Sequence, residues 1–239
     1  MRVGRGMKNG RVGIYMQSFR VQAIFANDRP LTLAGMEYVA NNTNAIDLIG
    51  LCKSADELVS SLRQTKCDVA LIDFSMRARG QMEGMTLCGY LCRTFSELRI
   101  IVLVTHENQV VLRSLLNRGV SAIVSKFDDV GHIVAAIHTS YGGGRYLSPS
   151  VRNVLDSEND GKAQSASKLT PREMDVVRLY LSGMSVKEIA VKFRRGKQTI
   201  SAQKMSAMKK LGVKGDVELV KCAFWLGLLD ESNSGGANN

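Results

Sequence analysis

From Val21 onward the chain alternates short runs of β-branched and other apolar residues with longer stretches whose apolar positions recur every three or four residues. The first kind predicts strands over Val21 to Phe25, Ile46 to Cys52, Val69 to Asp73, Arg99 to Val104 and Ala122 to Ser125. The second predicts helices over Pro30 to Ala40, Ala55 to Gln64, Gly84 to Phe95, Gln109 to Arg118 and Val130 to Tyr141. Strands that alternate with helices in this way imply a parallel sheet wrapped by helices, because parallel neighbours need a crossover and a helix supplies it.

Beyond Tyr141 the pattern changes. Gly142 to Gly144 end a helix, and Ser148 with Pro149 offers the N-cap and first turn of another. Residues 157 to 168 are polar and small, with too little apolar surface to offset the entropy of ordering them. From Leu169 the periodicity is helical throughout. Thr170, Pro171 and Glu173 form a capping box with proline at N1, and Ser185 with Glu188 repeats the box one helix later. Val176, Val177, Leu179 and Tyr180 give the first of these helices an inner face; Ile189, Ala190 and Phe193 do so for the second. A turn at Arg194 to Gly196 leads to a third helix from about Thr199, with Ile200, Ala207 and Leu211 on its inner side. Ser201, Ala202, Lys204, Met205 and Lys209 fall on the outer side, with Gln198 and Thr199 at its start. Two capped helices, a tight turn and a basic third helix are the elements of a helix-turn-helix. A last helix is expected over Asp216 to Leu229, and its apolar set exceeds one buried face.

The predicted organisation is a basic, disordered head (1–20), an α/β domain (21–147), a linker (148–168), a small all-α domain (169–230) and a disordered tail (231–239). Charge follows this division. The formal net charge is +10 over 239 residues. The head carries five basic and no acidic residues, the α/β domain twelve of each, and the all-α domain twelve basic against six acidic. A neutral first domain and a basic second one imply that only the second touches a polyanion. The apolar runs are far shorter than a bilayer span, and the head lacks the apolar core of a signal peptide, so a cytoplasmic protein without a membrane partner is expected. Five scattered cysteines fit a reducing compartment; Cys88 and Cys92 share a helical face without further ligands nearby, which favours packing over metal.

In a parallel α/β sheet, ligands sit beyond the carboxyl ends of the strands. The residues there are Asn27 and Asp28, then Asp73, Thr105 and Lys126. Acids after the first and third strands and a lysine after the fifth would converge on a hard-cation site with a phosphate-sized neighbour. These residues resemble the receiver domains of two-component response regulators. The resemblance implies a flavodoxin-like receiver domain, a five-stranded parallel sheet with flanking helices, in which Asp73 is the phosphoacceptor and Lys126 contacts the phosphoryl group. It also implies magnesium held by Asp28 and Asp73, with Asn27 keeping an oxygen for a metal-bound water. Three positions depart from the family pattern. Asn27 replaces an acid, Met76 is followed by Arg77 where proline is usual, and Val104 occupies the hydroxyl position, with Thr105 one residue late and so on the other face of the strand.

Residues 169 to about 229 resemble the LuxR-type helix-turn-helix of NarL-class response regulators, and TISAQKMSAMKKLGV is similar to the recognition helix of the Rcs-phosphorelay branch of that class. The resemblance implies a transcription regulator rather than an enzyme, dimeric on promoter DNA. Gln198, Thr199, Ser201, Ala202, Lys204, Met205 and Lys209 would face the duplex, and a histidine kinase or phosphotransfer protein would act on the receiver. The departures at Asn27 and Val104 raise the alternative of a phosphorylation-independent auxiliary regulator acting through a heterodimer. A nucleotide-binding enzyme on a flavodoxin-like domain is disfavoured because FANDRP offers no glycine-rich cradle after the first strand.

Overall fold

A computed structural model describes residues 20–76, 83–105, 108–157 and 169–228. Residues 1–19 of the head, Arg77, His106, residues 158–168 of the expected linker, Leu229 and the tail lie outside these residues. In chain order the elements are β1 (Val21–Ala26), α1 (Pro30–Asn41), β2 (Ile46–Cys52), α2 (Ala55–Gln64), β3 (Val69–Asp73), α3 (Gly84–Thr94), β4 (Arg99–Val104) and α4 (Gln109–Asn117). They continue with β5 (Ala122–Ser125), α5 (Gly131–Tyr141), β6 (Tyr146–Leu147), α6 (Pro149–Asp156), α7 (Pro171–Leu181), α8 (Val186–Lys192), α9 (Lys197–Lys210) and α10 (Asp216–Trp225).

The strands form one parallel sheet in the order β2-β1-β3-β4-β5-β6. Both faces are covered, so alternate residues of each strand enter different cores. Ala70 and Ile72 join Ile100, Val102 and Val104 beneath α2, α3 and α4. Val69 and Leu71 join Ile101 and Leu103 beneath α1 and α5. All five residues of β3 are buried, which carries its last residue, Asp73, to the rim of the sheet without exposing it.

The five expected strands are joined by a sixth. β6 has two residues, too few to show a period. It is fixed instead by ladder bonds, as Tyr146 N–H donates to Ser121 O and Ser148 N–H to Ile123 O. The next helix, α6, packs on the first domain, with Val151 fully buried and the Ser150 N–H and hydroxyl donating to the Asp128 carboxylate. Residues 148 to 156, expected at the start of a linker, are thus part of the α/β packing.

In the second domain both predicted capping boxes form, at Thr170/Glu173 and Ser185/Glu188. The turn between α8 and α9 passes through Arg194 at φ 50°, a left-handed conformation unusual for a residue with a Cβ, which turns the chain within a few residues. Glu173 does more than cap α7. Its carboxylate also accepts from the Ser206 hydroxyl (2.7 Å) and the Lys210 ammonium (2.7 Å), tying α7 to the far end of α9.

The two domains touch. The Phe74 and Trp225 rings lie 6.2 Å apart, and the Asn108 amide donates to Leu211 O (3.1 Å) and Gly212 O (3.4 Å) at the end of α9. The oxygen of the same amide caps α4, accepting from Val110 and Val111 N–H.

Burial alone would push the Glu173 carboxyl up, but the Lys210 ammonium, the Ser206 hydroxyl and the Thr170 N–H and hydroxyl outweigh it and hold it down at about 2, from an ordinary 4.5. The folded state therefore binds this proton less readily than the unfolded chain does. The stability it confers is complete above about 4.5 and declines as pH falls from there toward 2. Glu173→Ala should lower stability at neutral pH by about 2 kcal/mol, the worth of hydrogen bonds to a charged group, and flatten the acid dependence. Urea unfolding at neutral and acidic pH, followed by circular dichroism, checks both.

Candidate functional site

Two clusters carry chemistry. The first lies at the carboxyl ends of β1, β3 and β5, where the sheet brings together Asn27, Asp73 and Lys126 from distant parts of the chain. Asp73 is 1% exposed, so its charge needs partners. One carboxylate oxygen, Oδ2, accepts from the Asn27 amide (2.7 Å) and the Lys126 ammonium. The other, Oδ1, accepts from the Ser75 N–H (3.0 Å) and the Ser75 hydroxyl (2.9 Å). Ser75 was not among the site residues expected from the sequence, although an Asp followed two residues on by Ser is a local turn signature.

Asn27 is fully buried, and both ends of its amide are engaged: Nδ2 donates to Asp73, and Oδ1 accepts from Arg29 N–H (2.8 Å). Asp28, half-buried, follows at the same rim. Val104 is 1% exposed and packs in the core beneath α2, α3 and α4, whereas Thr105, the nearest hydroxyl in sequence, is half-buried beyond the strand end.

Magnesium, the cation the receiver resemblance implies, fits this pocket poorly. An amide proton occupies a lone pair of the carboxylate oxygen, and an N–H cannot ligate a cation. Among the described residues no group of three or more His, Cys, Asp and Glu side chains could hold a metal ion.

The second cluster is α9. Ile200, Ala207 and Leu211 are buried as expected, and Met208 joins them. Gln198, Thr199, Ser201, Ala202, Met205 and Lys209 are exposed, forming an outer face of hydroxyl, amide, methyl, thioether and ammonium groups. The receiver contact leaves this face open. Lys204 differs, because its ammonium pairs with Asp216 at the start of α10 and sits 3.7 Å from the centre of the Tyr180 ring. Burial alone would lower the Lys204 ammonium, but Asp216 and Tyr180 outweigh it and raise it. Lys204 thus packs α9 against α7 and α10, a placement that spacing along α9 could not reveal because both partners lie on other helices.

Comparison with known proteins gives two family matches, the response regulator receiver domain over residues 23–138 and the luxR family of bacterial regulatory proteins over residues 167–223. The transcriptional regulatory protein RcsB of Escherichia coli (strain K12) is 32% identical over 200 residues, 84% of this chain and 92% of RcsB. The response regulator UvrY of the same strain is 25% identical over 211 residues, 87% of this chain and 95% of UvrY. RcsB from Salmonella enterica serovar Typhimurium, bound to promoter P1flhDC with the phosphomimetic BeF3−, matches with a TM-score of 0.79 and 30% identity, covering 87% of this chain and 99% of that one. A structure of two RcsB dimers bound to two parallel DNAs matches with a TM-score of 0.75 and 31% identity, covering 87% and 99%.

The Lys204 geometry has a measurable consequence. Lys204→Ala should destabilise the second domain by about 1 kcal/mol, the scale of a cation–π contact with a partly exposed ion pair. Ser201→Ala and Met205→Ala, on the open face, should leave melting unchanged within about 0.5 kcal/mol. Thermal melts of the three variants test the distinction.

Proposed function

The chain belongs to the RcsB family of response regulators, a receiver domain followed by a LuxR-type helix-turn-helix domain, and on that basis we propose that it regulates transcription by binding promoter DNA with α9 in the major groove. The observation that carries this reading is the exposed face of α9 in a domain where basic residues outnumber acidic ones twelve to six. Ser201, Ala202 and Met205 have the size and chemistry to meet base edges, with Gln198 and Thr199 at the amino end of the helix. Lys209, near the other end, is suited to phosphate. The resemblance of α9 to the Rcs branch supports the same assignment.

Several parts of the reading rest on the relatives. RcsB dimers bind DNA, and this chain carries a stripe that suits pairing on DNA: Val217, Val220 and Phe224 on α10 are 70%, 47% and 50% exposed. The occupant is a second copy or a related regulator. Asp73 is the phosphoacceptor position and Lys126 the phosphoryl contact, and a histidine kinase or phosphotransfer protein is the upstream partner. No described helix is long and apolar enough to cross a membrane, and we place the regulator in the cytoplasm with the DNA it reads. No enzymatic role is assigned. The reading in which phosphorylation has little influence draws support from Val104, whose buried side chain brings no hydroxyl to the pocket.

Binding of the full chain to genomic duplex fragments, followed by fluorescence anisotropy across a salt series, tests the assignment. Affinity should fall steeply with salt as phosphate counterions are released. Lys209→Ala should reduce the slope by about one, whereas Ser201→Ala should cost about 1 to 3 kcal/mol on the preferred sequence and little on random DNA. Equal losses on both kinds of DNA from Ser201→Ala would remove α9 as the reading element.

A further inference from the structure

We propose that Asn27 stands in for the cation in this receiver: its amide, together with the Lys126 ammonium, satisfies Asp73 from within the chain, so that the pocket holds its folded geometry without a divalent cation and binds one only weakly. The proposal refines the receiver half of the function proposed above and is independent of DNA binding.

The charge on Asp73 sets the constraint. A carboxylate at 1% exposure has no bulk water to solvate it and depends on donors or a cation. Four donors are present. Asn27 Nδ2 and Lys126 Nζ reach Oδ2, and the Ser75 N–H and hydroxyl reach Oδ1, which together use the capacity of an ionised carboxylate. A divalent ion would have to displace one of them. Displacing the Asn27 amide would leave a buried N–H donor unpaired, and that amide is held in place from its other end by Arg29 N–H at 2.8 Å. Charge points the same way, since the neutral Asn27 adds nothing to the attraction that the carboxylates of Asp28 and Asp73 offer a doubly charged ion. With an acid at position 27 the pocket would hold three carboxylates, two of them adjoining, and repulsion between them would make a cation necessary. The amide removes both the repulsion and the need.

The test is Asn27→Asp against the unaltered full chain, with Mg2+ in thermal melts and Mn2+ titrated directly by the electron paramagnetic resonance signal of the free ion. No DNA is present, so a failure here leaves the assignment of α9 intact. The unaltered chain should melt at the same temperature with and without Mg2+. Asn27→Asp should melt lower than the parent without cation and recover when Mg2+ is added, because a ligand that binds only the folded state stabilises it. Its Mn2+ affinity should exceed that of the parent by at least about tenfold, and Asp28→Asn in the same background should abolish the gain.

Two results would overturn the proposal. One is an unaltered chain that binds one Mn2+ as tightly as the variant does, at a site that Asp28→Asn removes. The other is a folded Asn27→Asp protein whose melting is indifferent to Mg2+. Should Asn27→Asp fail to fold in either condition, Mn2+ titration of the unaltered chain with its Asp28→Asn control decides the matter. Weak binding that the control does not alter supports the proposal, and tight binding that it abolishes refutes it.

Discussion

A buried carboxylate at the end of a buried strand is the constraint around which the first domain is organised. Asp73 cannot reach bulk water, and an unpaired charge there would cost several kcal/mol. Its donors come from the ends of β1 and β5 and from the turn that follows β3. The register that pairs Ala26 with Ile72 sets Asn27 beside Asp73. The pairing of Val104 with Ser125 across β4 and β5 positions Lys126 one residue further on. The hydrophobic alternation that fixes strand register therefore also fixes the polar cluster, because a slip of one residue would turn Asp73 or its donors to the wrong face.

The cluster adjoins the contact between domains. Phe74 follows Asp73 directly, and its ring faces Trp225 at the end of α10. Gly84 opens α3 at φ 48°, with the Phe74 ring 3.6 Å from where its Cβ would lie, so a larger residue there would meet strain before any question of space. Asn108 adds a second link, capping α4 with its oxygen and holding the end of α9 with its nitrogen. The receiver thus engages the end of α10 and the turn after α9, while the outer face of α9 stays exposed. In this arrangement the surface claimed by the receiver is distinct from the surface assigned to DNA.

Much of this was legible in the sequence because it follows from local rules. Strand bounds for β2 to β5 match the predicted runs, most directly in β3 and β5, where every residue is buried and the apolar run is bounded by the strand itself. The capping boxes at Thr170 and Ser185 are short-range chemistry and appear where expected. The convergence of Asp73 and Lys126 could be anticipated because strand ends share a rim in this fold. What sequence could not show depends on partners distant in the chain. Nothing in the spacing of α9 tells that Lys204 turns to Asp216 and Tyr180, or that Glu173 reaches Lys210. Asn27 was expected to offer an oxygen to a metal-bound water; that this oxygen accepts from Arg29 N–H while the nitrogen donates to Asp73 is an orientation set by three-dimensional neighbours. β6 was missed because two residues carry no period.

The central claim is that α9 reads DNA from the major groove in a paired complex. Methylation interference on a bound genomic fragment tests it most directly, since methyl groups at guanine N7 lie in the major groove and those at adenine N3 in the minor groove. The account predicts interference at guanine N7 in two patches on one face of the duplex, about one helical turn apart. Interference confined to adenine N3, or none at all on a fragment that the full chain binds, would contradict it.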